Sequence, residues 1–173
     1  MKLTKLQILL TLIFTFSFSS FAQNAQTELA AAAQAATKGD KITAAKHLQN
    51  AANLGDAVAQ YNLGVAYASG DGVVANEKTA IDLWTKAANQ GYSAAQYELA
   101  LYYLNKKQAA KAAPLLKALA DNGDPAASYN YAMMLAKGDG VKKNEQESRR
   151  YLSQSAAQGF PPAQQMLNQT NGK

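Results

Sequence analysis

The chain of 173 residues contains no cysteine and a single histidine. Without cysteine there is no disulfide staple, no thiolate metal site and no lipid-carrying thiol, so the fold must be held by packing alone. One histidine excludes histidine metal clusters and any relay between two imidazoles. That residue, His47, falls in line with Leu83 and Leu115 in later repeats, which marks a packing position turned half-polar rather than a general base. No apolar run is long enough to cross a bilayer: the greasiest stretch, Leu6 to Phe18, holds 13 residues and is interrupted by Gln7, Thr11, Thr15 and Ser17, against about 20 for a span. Basic residues are scattered, the densest pairs being Lys142-Lys143 and Arg149-Arg150, so a net charge of +5 makes no stripe for nucleic acid.

What the first residues do contain is a tripartite leader. Lys2 and Lys5 form a basic start, the apolar stretch follows, and Ser20-Phe21-Ala22 sets small residues at the two positions that a leader peptidase reads. Cleavage after Ala22 is expected, leaving residues 23–173 at net charge +3 and sending the protein to the periplasm of a two-membrane bacterium or outside the cell.

Glycines then divide the rest. Gly55, Gly91, Gly123 and Gly159 recur at spacings of 36, 32 and 36, each closing an alanine-rich stretch such as Ala51-Ala52-Asn53-Leu54 or Ala87-Ala88-Asn89-Gln90. Glycine suits a helix end, where the chain turns with positive φ. Residues 68 apart agree closely: Tyr61-Asn62 with Tyr129-Asn130, Gly70-Asp71-Gly72-Val73 with Gly138-Asp139-Gly140-Val141, and Asn76-Glu77 with Asn144-Glu145. Short and long repeats therefore alternate, as if a two-repeat block had been duplicated. Ala59, Leu63, Ala66 and Tyr67, then Ile81, Trp84, Ala87 and Ala88, recur at helical spacing, giving two helices per repeat. Neither helix can bury its stripe alone, so the pairs must stack. The expected fold is all-α, a right-handed α-solenoid of antiparallel helix pairs in one domain. Its repeats are 24–55, 56–91, 92–123 and 124–159, with a capping helix at 160–169. Pro114 is expected to kink its helix or to delay its start to near residue 112.

The segment from Ala59-Gln60-Tyr61-Asn62-Leu63-Gly64 through Tyr67, Gly70, Gly72 and Val73 to Lys86-Ala87-Ala88 and Gly91 resembles the Sel-one-like repeat, a relative of the tetratricopeptide repeat. The fourth repeat resembles it again, departing at Tyr131, Ala132 and Leu135. The third lacks the Gly-x-Gly-Val loop, and the first has Ala31-Ala32 in place of Leu-Gly.

The resemblance implies a binding scaffold, with the first helices lining a concave face. Tyr61, Tyr97 and Tyr129 hold the fifth position of those helices, and Val65, Leu101 and Met133 the ninth. Tyrosines are enriched at binding hot spots, yet tyrosine there can equally pack between helices, and both readings stand. Asn62 and Asn130 could bond a peptide backbone, and Lys137 an acidic group. The partner is a protein or peptide. No catalytic residue, cofactor or metal is expected. Some cysteine-rich relatives have been described as β-lactamases, but Ser-x-x-Lys, Ser-Asp-Asn and Lys-Thr-Gly all fail to occur, and Thr43-x-x-Lys46 has the wrong nucleophile. Asp71 and Asp139 are too sparse for calcium loops. Asn76 and Asn144 read instead as helix caps. The alternative functions are an inhibitor or immunity-type protein against an exported enzyme, using the same face, and, by family analogy alone, a cell-wall-acting hydrolase.

Overall fold

A computed structural model describes residues 23–171, and the expected leader at 1–22 lies outside them. The chain divides into two compact units, the first ending at Gln90 and the second beginning at Gly91. That boundary falls where the 68-residue duplication begins its second copy. All regular structure among the described residues is helical.

The first unit contains α1 (23–37), α2 (Lys41–Asn53), α3 (Ala57–Ser69) and α4 (Glu77–Asn89). The second contains α5 (Ser93–Asn105), α6 (Ala109–Asp121), α7 (Pro125–Lys137), α8 (Glu145–Ala157) and α9 (Pro161–Asn171). Connectors of a few residues make neighbouring helices antiparallel, and α3 packs on α4, α5 on α6 and α7 on α8. Across the repeats, α2 packs on α3 and α6 on α7.

The junction sequences explain the turns. After α2, Gly55 takes φ +90 and its N–H reaches Ala52 O, while Asp56 N–H reaches Ala51 O, the double bond that closes a helix end. Asp56 then caps α3, its carboxylate accepting from Ala59 N–H at 2.8 Å. Gly123 and Asp124 repeat both steps between α6 and α7. Asn76 and Asn144 cap α4 and α8 by accepting from Thr79 and Glu147 N–H, with Glu77 and Glu145 in the first turns. Both long loops close onto an earlier helix: a Cβ on Gly72 would stand 2.1 Å from the Lys41 carbonyl oxygen, and one on Gly140 would stand 2.4 Å from Ala109 C. Only glycine fits there.

Small residues set the helix crossings. Ala59, Ala95, Ala127 and Ala163, the third residues of α3, α5, α7 and α9, are each fully buried. Trp84, Leu116 and Leu152 are buried, and Trp84 packs on Gly64 and Tyr61 of α3, inside its own helix pair.

Two sequence expectations need correction. The helix holding Pro114 begins at Ala109 rather than near 112. Its first turn is tightened by bonds from the Lys111 and Ala112 N–H groups to Gln108 O. Proline removes one interior donor, and burial of Ala112, Ala113 and Leu116 outweighs that loss. The last helix starts at Pro161 and ends at Asn171, its two prolines occupying positions where an N–H would be unbonded anyway. Phe160, Met166 and Leu167 pack on the core of the second unit, and Gln164, Gln165 and Asn168 face solvent.

Candidate partner-binding clefts

The first helices carry the expected binding residues, and their surroundings differ between the two units. In the second unit Tyr97 is half-buried against the core, and its hydroxyl oxygen accepts from Asn130 Nδ2 at 3.1 Å. Tyr129 and Met133 are likewise half-buried, and the Tyr129 ring lies 5.5 Å from that of Phe160. Leu101 is 38% exposed, and Lys137 is exposed at the end of α7. In the first unit Tyr61 is half-buried, and its carbonyl accepts from Trp84 Nε1 at 3.2 Å. The tyrosines are thus neither bare rungs nor sealed core.

Asn62 and Val65 behave differently. They line a cleft of about 470 Å³ among α1, α2 and α3, floored by Leu29, Ala33, Ala36 and Leu48. Val58 and Val65, at its edge, are 38% and 39% exposed. The duplication shows why the space is open. The second unit has Tyr97 where the first has Leu29, Leu101 for Ala33, Leu104 for Ala36, Met133 for Val65 and Met134 for Ala66. Leu104 and Met133 pack on its core and Met134 lies within it, so bulky side chains supply what the first unit lacks. The same exchange removes the hydroxyl that Asn130 bonds. Among the described residues Asn62 has no side-chain hydrogen bond, and its amide opens into the cleft.

One charged residue, Asp71, lines this cleft, and it pairs with Lys41 at 2.7 Å, both well exposed. Glu28 accepts from Asn50 Nδ2 and lies 2.7 Å from His47 Nδ1, and this contact with His47 is the main cause that lowers the Glu28 pKa. His47 is therefore a structural partner that ties α2 to α1.

A second cleft, of about 450 Å³, lies in the second unit beside α6, α7 and α8. Its floor includes Tyr131 and Tyr151, meeting edge to face at 5.0 Å. Tyr151 donates to Asp121 at 2.6 Å, and Asp121 also accepts from Lys117 at 2.6 Å. Burial first, and Asp121 second, raise the Tyr151 pKa. Among the described residues no cluster of histidine, aspartate and glutamate could hold a metal, and no helix is long and apolar enough to cross a membrane.

The tyrosine spacing gives no sign of the α1 residues of the first cleft, such as Ala33 and Ala36. Their signal is a difference between the copies: alanine where the second carries leucine.

Two solved structures share this fold. A protective antigen present in uropathogenic Escherichia coli strains (c5321), described as displaying an SLR fold, is 29% identical with a TM-score of 0.74; the match covers 81% of this chain and 32% of that one. A Sel1 repeat protein from Oxalobacter formigenes is 27% identical with a TM-score of 0.73, over 86% of this chain and 62% of that one. The chain thus spans about a third and about three-fifths of these two. No curated protein matches it significantly. The family model for the Sel1 repeat matches residues 24–56, 57–92, 93–124 and 125–160, tiling both units. Sel1 repeats generally mediate protein–protein interaction, and the chain belongs to the Sel1 repeat family.

Proposed function

We propose that this protein is an exported adaptor, and that the cleft among α1, α2 and α3 takes an apolar segment of a partner protein. The carrying observation is the open cleft itself: an apolar floor, an unbonded Asn62 amide and partly bare Val58 and Val65, where the second unit carries larger side chains at the positions of Ala33, Ala36, Val65 and Ala66. An inserted leucine- or methionine-sized side chain would bury apolar surface at roughly 25 cal/mol per Å², while Asn62 meets the backbone of the segment. Export is supported by the basic, apolar and small-residue order of residues 1–22.

The test transplants residues from the second unit. Ala33→Leu/Ala36→Leu fills the cleft, so a partner recovered with the wild-type protein from a periplasmic extract should be lost with the variant, the thermal transition being kept. Equal recovery with both proteins would refute the cleft as the binding site. Intact-mass measurement checks export: a chain beginning at Gln23 is expected, and a full-length mass in that fraction would contradict it.

A further inference from the structure

The two units are copies of one scaffold, so a group that only one of them carries is not needed for the fold. Lys117, Lys142 and Lys143 line the mouth of the second unit's cleft. At the matching positions the first unit has Gln49, Val74 and Ala75, none of them charged, and it builds the same helix pair. The three lysines are thus additions to a framework that stands without them.

Their surroundings suit an anionic ligand with an apolar part. Below the lysines lie Tyr131, Leu135 and Tyr151, all buried. Among the described residues Lys142 has no partner. Lys117 and Lys143 pair with Asp121 and Glu145, but these pairs are about half exposed, and such pairs are worth only about 0–1 kcal/mol, so an incoming carboxylate can displace them. The one acid of the lining, Glu147, is already engaged by Arg150 at 2.9 Å. Asn144 spends its side-chain oxygen on the Glu147 N–H, which leaves its amide nitrogen to donate.

We infer that this cleft is a second binding site, one for an acidic peptide segment: an apolar side chain of the segment rests on Tyr131 and Leu135 while its carboxylates meet Lys142, Lys143 and Lys117. The cations sit at one mouth and form no track along the surface, which favours a short acidic motif over the regularly spaced phosphates of a nucleic acid. The inference rests on the reading of the chain as protein-binding, but at a place separate from the first unit's cleft.

An array of random octapeptides tests it with four forms of the chain. The wild-type protein should select peptides rich in aspartate and glutamate around an apolar residue. Lys142→Val/Lys143→Ala, which installs the first unit's own residues, should weaken the selected peptides about tenfold, as expected for lost charge pairs in a cleft. Should that double variant lose its thermal transition, Lys142→Val alone carries the measurement, with weakening of about threefold expected. Ala33→Leu/Ala36→Leu should leave these peptides bound, so failure of the first cleft and failure of this one are told apart. Four outcomes overturn the inference: selection with no acidic bias, unchanged binding by a folded lysine variant, loss of binding in the cleft-filled variant, or displacement by inorganic phosphate at the peptide's own concentration.

Discussion

Gly64 lies against the indole of Trp84 so closely that a methyl group on it would stand 2.5 Å from Nε1, the nitrogen that donates to the Tyr61 carbonyl. In the second copy the same two positions are Ala132 and Leu152. A larger filler faces the smaller residue, and a smaller filler the larger one. Packing volume is thus conserved within each pair, as a close-packed crossing of α3 with α4 or of α7 with α8 requires.

That pairing predicts a coupled response. Gly64→Ala should destabilise the protein by about 1–3 kcal/mol through overpacking. Adding Trp84→Leu should recover part of the loss, because the double variant reproduces the pair of the second copy. Denaturant unfolding of the four proteins of the cycle measures this, and simple additivity would show that the two residues do not share the space.

The glycines divide into two classes. Gly55 needs only its positive φ, since an added Cβ would meet nothing within 4 Å, whereas a Cβ on Gly72 would strike the Lys41 carbonyl. Gly55→Ala should therefore cost about 1 kcal/mol, the conformational penalty alone. Gly72→Ala should cost clearly more, about 3 kcal/mol or above, because backbone must move as well. Equal losses in thermal unfolding would argue that the Gly-x-Gly loop does not close onto α2.

Acid should act through Asp121. Lys117, its strongest influence, and then Tyr151 hold this carboxyl below its ordinary value of 3.8. A depressed carboxyl pKa adds stability above the unfolded-state value, and the contribution is lost as pH falls through the folded one. Asp121→Asn should thus be less stable than wild type at pH 7, with the gap narrowing below about pH 4. A gap independent of pH would place the effect in packing rather than charge.

Removing the last helix should expose core. Phe160, Met166 and Leu167 cover the second unit, and Ala163 is fully buried there. Deleting residues 160–173 should lower stability by about 2–5 kcal/mol and promote self-association, as for a repeat array without its cap. A truncated chain that stays monomeric and equally stable would mean that α9 is not a cap.

Most of the fold was legible because it is written in period: Gly55, Gly91, Gly123 and Gly159 mark the turns, and buried alanines such as Ala59 and Ala127 mark the crossings. The start of α6 was not, since the rule for Pro114 is local whereas the burial that overrides it comes from neighbouring helices. The cleft-lining residues were legible only in part. Asn62 and Val65 line a cleft, but Tyr97 and Tyr129 are tied to Asn130 and Phe160, partners that no spacing within one helix reveals. The α1 side of the cleft was hidden because a cavity is made by what is small, and Ala33 and Ala36 look like any other alanines until set against Leu101 and Leu104.

The most direct test of the account is photo-crosslinking from inside the first cleft. With benzoylphenylalanine in place of Val65, the protein in its producing cells should form one crosslinked species with its partner. The crosslink should vanish when Ala33→Leu/Ala36→Leu fills the space, and should not form from Met133, the matching position in the second unit. A crosslink from position 65 that survives filling, or none from 65 alongside one from 133, would contradict a partner segment seated among α1, α2 and α3.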